Sequence, residues 1–172
     1  MLKKLGLVAL VLYIATIYAA NYLIAHVGVV DVGFGLMAPA GVYAAGLAFT
    51  LRDVTQTLLG KTATLGAIAL GAAASATVSP KFAVASAVAF LVSELADFAV
   101  YTPMLRKGWL KAVVASNVVG LVLDSTLFLW LAFGNLDFLK GQIVGKAWMT
   151  VLAVALLLPF RRKFTAAQEV TA

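Results

Sequence analysis

The chain has 172 residues, of which 63% are hydrophobic and only 12% are charged. A water-soluble domain carries about twice that charged fraction, so this composition excludes a soluble globular protein. The chain has no Cys and one His, which excludes a disulfide framework, a thiolate metal centre and a His-rich metal site, and we expect neither a metal nor a cofactor.

Six apolar segments follow one another along the chain, and a helix needs about 20 apolar residues to cross a bilayer. They are residues 6–25, 36–51, 63–79, 82–101, 112–133 and 142–160. Short glycine- and proline-containing loops separate them, which favours antiparallel neighbouring helices. We therefore predict an all-α integral membrane protein with one six-helix domain over residues 1–172. If its halves are repeats, they form a 3+3 inverted repeat.

The first two segments each allow two interpretations. Lys3 and Lys4 before an apolar run are typical of a signal peptide, but the run is longer than usual and we expect a retained helix. The second segment contains Pro39, Gly41 and Gly46 and directly follows Gly35, so it is either a broken helix or a closely packed one. We favour close packing through Gly41 and Ala45, which have the small-xxx-small spacing.

The distribution of Lys and Arg predicts the orientation in the membrane. With a cytoplasmic amino terminus, the outer loops contain only two cations, Lys81 and Lys140. The basic excess therefore indicates topology and contact with anionic lipid headgroups, and we expect no nucleic-acid partner. The prediction is a multi-pass membrane protein with both termini in the cytoplasm. The predicted inner cations are Lys3, Lys4, Arg52, Lys61, Arg106, Lys107, Lys111, Arg161, Arg162 and Lys163.

Acidic residues inside the fourth segment are the first candidates for a substrate site, because ionisable groups in a bilayer are costly. Glu94 and Asp97 are three residues apart and so share one helix face. Phe90 lies one turn before them and Tyr101 one turn after. A pair of carboxyls between aromatic rings is suited to a flat ligand that donates hydrogen bonds.

The fifth and sixth segments add further polar residues within the membrane. Asn117 and Asp124 lie nearly two turns apart on one face, with Gly120 between them. Lys146 either extends to the outer surface or turns inward to a carboxylate, and the sequence does not favour one of these orientations over the other. Three acids and one cation in a low-dielectric interior would leave at least one carboxyl protonated, as a proton-coupled carrier requires. The alternative is that these residues only form hydrogen bonds between helices.

Polar residues near the ends of the first two segments also have two interpretations. Arg52, Asp53 and Gln56 follow the second segment, either as an interfacial salt bridge and helix terminus or as a cytoplasmic gate or part of the ligand site. Together with Lys146 they are the candidate gating or coupling residues. Asn21 is either a packing amide or a ligand contact. Enzyme motifs such as HExxH are missing from the sequence, and Asp97 with Asp124 lacks the Gly-x-Gly-Asp context of an intramembrane aspartyl protease. We therefore do not expect an enzyme.

Four stretches of the sequence resemble the vitamin uptake transporter family, in particular its queuosine precursor transporters. They are residues 20–22 (Ala-Asn-Tyr), 35–56 (from Gly-Leu-Met-Ala-Pro to Arg-Asp-Val-Thr-Gln), 93–101 (Ser-Glu-Leu-Ala-Asp-Phe-Ala-Val-Tyr) and 116–125 (Ser-Asn-Val-Val-Gly-Leu-Val-Leu-Asp-Ser). No single stretch is diagnostic, and the resemblance comes from their order and spacing.

The resemblance implies an inner-membrane importer of 7-cyano-7-deazaguanine or a related 7-deazapurine. One of Glu94, Asp97 or Asp124 would bind the purine edge, with Asn117 or Asn21 as the amide partner and Phe90 or Tyr101 as the stacking surface. A remaining carboxyl would serve proton coupling. The alternative is the substrate-binding membrane subunit of an energy-coupling-factor vitamin importer, and a homodimer is compatible with either function.

Overall fold

The computed structural model describes residues 2–78 and 83–160, and these form a helical bundle with a small hairpin at one end. Lys81 and Arg161 to Lys163, used above to predict orientation, lie outside the described residues. Five described helices are long and apolar enough to cross a membrane, so the chain is a multi-pass membrane protein. In order, the elements are α1 Leu2–His26, β1 Val29–Gly33, β2 Leu36–Pro39, α2 Val42–Val78, α3 Ala83–Met104, α4 Trp109–Phe133 and α5 Leu139–Leu157, with short 3-10 turns at Leu105–Lys107 and Leu158–Phe160.

The prediction of a second apolar helix over residues 36–51 is wrong at its beginning, because residues 36–39 form a strand. β1 and β2 pair antiparallel through a two-residue turn, in which Phe34 and Gly35 have φ values of 57° and 69°. Two positive φ values are typical of the turn that matches strand twist. The ring of Phe34 stacks on Trp148 of α5, and Trp148 Nε1 donates to the carbonyl of Val32 at 3.1 Å. These contacts attach the hairpin to α5.

Helix α2 is broken at Gly60, which has φ 84° and ψ 177°. A straight helix of its 37 residues would be about 55 Å long, whereas the hydrocarbon core of a bilayer is about 30 Å thick. Only glycine adopts this backbone conformation without steric cost. The break therefore divides α2 into two parts, each close to the length of a membrane span.

Contacts with α1 give the direction of the two parts of α2. The first part begins beside the end of α1 and finishes beside its start, whereas the second part returns toward the end of α1. The contacts are Gly41 with Ala20, Gly6 with Leu59, and Gly71 with Ile17. The chain therefore reverses direction at Gly60, and the two parts of α2 are antiparallel.

Close packing of α1 on α2 predicts a large effect of a small substitution at Gly41. A Cβ added there would collide with the backbone carbonyl of Ala20, which no side-chain rearrangement relieves. We expect Gly41→Ala to destabilise the protein by about 1 to 3 kcal/mol, seen as a lower thermal unfolding temperature in detergent. Gly66→Ala is the matched control, because nothing lies within 4 Å of a Cβ at Gly66. Equal unfolding temperatures of the two variants would contradict the predicted packing.

Candidate substrate-binding site

Arg52 lies inside the bundle and has a completely buried side chain. Its Nη1 is 2.6 Å from Asp53 Oδ1, its Nε is 3.5 Å from Glu94 Oε2, and its Nη2 forms an ion pair with Asp97 Oδ2. All three carboxylates are also fully buried. The planar guanidinium can bind several acids at once, which a lysine ammonium does less well. We call these four residues the Arg52 cluster.

The expected salt bridge between Arg52 and Asp53 is present, but the expected helix terminus at Arg52, Asp53 and Gln56 is wrong, because all three are buried within the first part of α2. The helix continues past residue 51, since the first residue with non-helical backbone angles is Gly60. The charge of Arg52 is compensated by acids from α2 and α3, so it does not need the aqueous interface. Gln56 Nε2 donates to Thr102 Oγ1 on α3 at 2.9 Å.

Side chains from three helices surround the Arg52 cluster. The hydroxyl of Tyr13 on α1 donates to Glu94 Oε2 at 2.6 Å, and Ser116 on α4 donates to Asp53 Oδ2 at 3.3 Å. The guanidinium of Arg52 lies 5.4 Å from the ring centroid of Tyr101, whose hydroxyl is hydrogen-bonded to Thr57. The cluster therefore connects α1, α2, α3 and α4 through polar contacts in the interior.

A second charge pair, with Lys146 buried and Asp124 13% exposed, joins α4 to α5. Lys146 forms an ion pair with Asp124 Oδ2 and donates to Ser125 Oγ at 2.9 Å. Ser93 on α3 donates to the other Asp124 oxygen at 3.4 Å. Lys146 is 1% exposed, so of its two predicted orientations the structure has the inward one. We call Lys146 and Asp124 the Lys146 pair.

A cavity of about 540 Å³, counting its open mouth, lies between the two charge groups and the hairpin end of the bundle. Three phenylalanines, Phe49, Phe90 and Phe128, contribute to a largely apolar wall. The polar side chains on the wall are Asn21, Glu94, Asp124 and Gln142.

Four of the seven predicted substrate-binding residues line this cavity, namely Asn21, Phe90, Glu94 and Asp124. The other three lie farther from the hairpin end. Asp97 pairs with Arg52, Tyr101 packs under the guanidinium, and Asn117 Nδ2 donates to Thr50 Oγ1 at 3.3 Å. Gly120, between Asn117 and Asp124, packs against Asp97. Asn117 and Asp124, which are predicted to share one face of α4, therefore lie at two different depths. Asp124 lines the cavity, and Asn117 lies in the layer beneath it.

Sequence reasoning missed four residues of the site: Tyr13, Phe49, Phe128 and Gln142. Three of them lie one helical turn from a residue that was singled out. Phe49 precedes Arg52, Phe128 follows Asp124, and Gln142 precedes Lys146. Helical periodicity extended from the charged residues would have found these three. Tyr13 has no such signal, since α1 contributes no charged residue to the site.

Each of the two charge groups places a cation next to carboxylates inside the bundle. Arg52 lies among three carboxylates, one from its own helix α2 and two from α3, and Lys146 lies beside one carboxylate from α4. Among the described residues, no group of three or more His, Asp or Glu has a geometry suited to a metal ion. The position between Asp53, Glu94 and Asp97 is filled by the guanidinium.

Comparison with known proteins agrees with the resemblance noted in the sequence. The model of the vitamin uptake transporter family matches residues 73–162, just over half of the chain. The matched range includes Glu94, Asp97, Asn117, Asp124 and Lys146. Comparisons with curated proteins and with solved structures gave no match. The chain belongs to the vitamin uptake transporter family.

Proposed function

We propose that this protein imports 7-cyano-7-deazaguanine or a related 7-deazapurine across the inner membrane, coupled to protons. The observation that carries the proposal is the cavity, which combines phenylalanine rings with the carboxyls of Glu94 and Asp124. A flat heteroaromatic base stacks on aromatic rings, and its N–H groups need acceptors when they leave water. Family membership supports an uptake transporter, and the cavity supports this class of substrate.

Glu94 is the best-placed acceptor for the base. Its Oε2 is occupied by Tyr13 and Arg52, whereas its Oε1 has no hydrogen-bond partner among the described residues. A guanine-like edge presents adjacent N–H donors, and Oε1 can accept from this edge in a charge-assisted hydrogen bond. Phe90, one turn away on the same helix, supplies a stacking surface beside them.

Six membrane crossings, with both termini in the cytoplasm, fit this proposal. The two parts of α2 are antiparallel and each approaches the length of a span, which adds one crossing to the five candidate helices. Lys3, Lys4, Arg106, Lys107 and Lys111 would then lie on the cytoplasmic side. The hairpin and the mouth of the cavity would lie on the outer side, where the substrate enters.

Proton coupling is supported by the balance of buried charges. The two charge groups contain four carboxyls and two cations, so full ionisation would leave two uncompensated negative charges in a low-dielectric interior. A proton on one carboxyl reduces this cost. Glu94 belongs to the Arg52 cluster and to the cavity wall, so protonation there would respond to substrate occupancy.

Uptake of labelled 7-cyano-7-deazaguanine into proteoliposomes tests the proposal. We expect uptake by the chain alone, stimulated by an inward proton gradient and abolished by a protonophore. We expect Glu94→Gln to reduce uptake by at least about tenfold, which corresponds to the loss of about 1.4 kcal/mol of binding. Asp137→Asn is the matched control, because it removes an exposed carboxyl in the α4–α5 loop. Unchanged uptake by Glu94→Gln would overturn the assigned role of Glu94.

The energy-coupling-factor subunit remains the competing function, and the same assay separates the two. Ala15 and Ala19 of α1 have small-xxx-small spacing, and Ala15 is exposed, so a partner could pack there. That function predicts no net uptake by the isolated chain and strict dependence on a cytoplasmic ATPase. Such a result would replace the proton-coupled carrier.

A further inference from the structure

Gln142 is a buried amide on the cavity wall whose side chain forms no hydrogen bond with any other described residue. Gln142 is 3% exposed, and the hydrogen bond that its backbone N–H donates to the carbonyl of Phe138, at 2.8 Å, does not involve its side chain. The side-chain oxygen and nitrogen of Gln142 are not among the fully buried polar atoms that lack a partner in the described part of the chain, so they keep contact with the open space of the cavity. A ligand in the cavity can therefore form hydrogen bonds with this amide.

The other polar groups of the wall leave a distinct role for Gln142. Glu94 and Asp124 are carboxyls, which accept hydrogen bonds when ionised and cannot donate them. Asn21 Nδ2 already donates to the carbonyl of Ile17 at 3.1 Å. Gln142 therefore contributes N–H donors that are not used within the protein. A ligand that fits this wall presents donors toward the carboxyls and an acceptor toward Gln142.

We propose that Gln142 determines substrate specificity by donating from its amide to a carbonyl oxygen on the ring of the base. This inference rests on the proposed import of a deazapurine, and it names the ring carbonyl as the chemical group by which the site selects its substrate. A 7-deazaguanine has such a carbonyl, whereas the analogue with an amino group at that position presents a donor, which the amide nitrogen of Gln142 cannot accept. Sites that hydrogen-bond a substrate group reject analogues that lack it, because the buried partner is left unpaired.

Competition against uptake of labelled 7-cyano-7-deazaguanine tests this role, with the unlabelled carbonyl base and its amino analogue as competitors. For the unsubstituted protein, we expect the carbonyl base to compete at least about tenfold better, the effect of one hydrogen bond. In Gln142→Leu, we expect weaker competition by the carbonyl base and a ratio near one. In Gln142→Glu, the side chain loses its N–H donors and can only accept when ionised, so we expect it to favour the amino analogue.

Stability measurements and a neighbouring control separate this role from a structural one. Gln142→Leu removes an unpaired polar group from an apolar wall, so its thermal unfolding temperature is expected to be equal to or higher than that of the unsubstituted protein. Lys140→Leu, at an exposed position two residues earlier, is expected to leave the competition ratio unchanged. Retention of the unsubstituted ratio by Gln142→Leu would overturn this inference alone. Failure of the unsubstituted protein to take up any deazapurine would instead overturn the proposed function.

Discussion

Arg52→Gln is expected to destabilise the protein more than any other single substitution considered, by about 3 to 5 kcal/mol. The change removes the one cation that contacts Asp53, Glu94 and Asp97, and it leaves three buried carboxyls facing one another. Thermal unfolding in detergent and the yield of folded protein measure the effect. Arg106→Gln is the matched control, because Arg106 is exposed after α3. We expect its unfolding temperature to be close to that of the unsubstituted protein.

A second variant distinguishes lost charge compensation from lost packing of the long Arg52 side chain. Arg52→Gln combined with Asp97→Asn removes one negative charge together with the positive one, and we expect it to be more stable than Arg52→Gln alone. Residues that contact each other give non-additive effects of this kind. If the double variant is as unstable as the sum of both single variants, the Arg52 cluster is not held together by charge.

The Arg52 cluster shows how far local sequence patterns reach. The three-residue spacing of Glu94 and Asp97 predicts that both acids face the same way, and both do contact Arg52. The position of Arg52 itself was not predictable from its neighbours, because a cation after an apolar run usually indicates the membrane interface. Its burial depends on acids about 40 residues later in the chain. Compensation between distant segments is not visible in hydropathy.

The hairpin and the break at Gly60 show the same limit for the backbone. Residues 36–39 are apolar and adjoin the helix that begins at Val42, so hydropathy alone does not separate strand from helix there. The turn at Phe34 and Gly35 and the β-branched residues of β1 are the local signals for a hairpin. Gly60 lies in the loop predicted between the second and third apolar segments, but the residues around it remain helical because the reversal needs only one non-helical residue.

The chemical groups of the cavity wall were predictable from the sequence, but the depth at which each residue lies in the bundle was not. The expected carboxyl and aromatic groups on α3 and α4 are represented on its wall by Phe90, Glu94 and Asp124. The sequence does not tell which turn of each helix faces the cavity and which faces the layer beneath it. On α2 the cavity residues end at Phe49, and Arg52 follows one turn later. On α2, Arg52 and its cluster therefore lie one helical turn farther from the hairpin than the residues of the cavity wall.

Lys146→Met is expected to cause the second large loss, because it leaves Asp124 without its cation. The methionine keeps most of the length of the lysine stem, so the change in packing is small and the change in charge dominates. We expect a lower thermal unfolding temperature, with a loss of about 3 kcal/mol, and uptake reduced to background. Lys140→Met, at an exposed position on α5, is the matched control and is expected to change neither quantity.

The double variant Lys146→Met with Asp124→Asn separates the structural role of the Lys146 pair from its role in uptake. Removing both charges leaves a neutral amide that keeps an acceptor for Ser93, so we expect most of the lost stability to return. Uptake is expected to remain at background, because Asn does not take up a proton and accepts fewer hydrogen bonds than a carboxylate. Recovery of both stability and uptake would show that Asp124 serves only to compensate Lys146. In that case substrate recognition and proton coupling would have to be assigned to Glu94 alone.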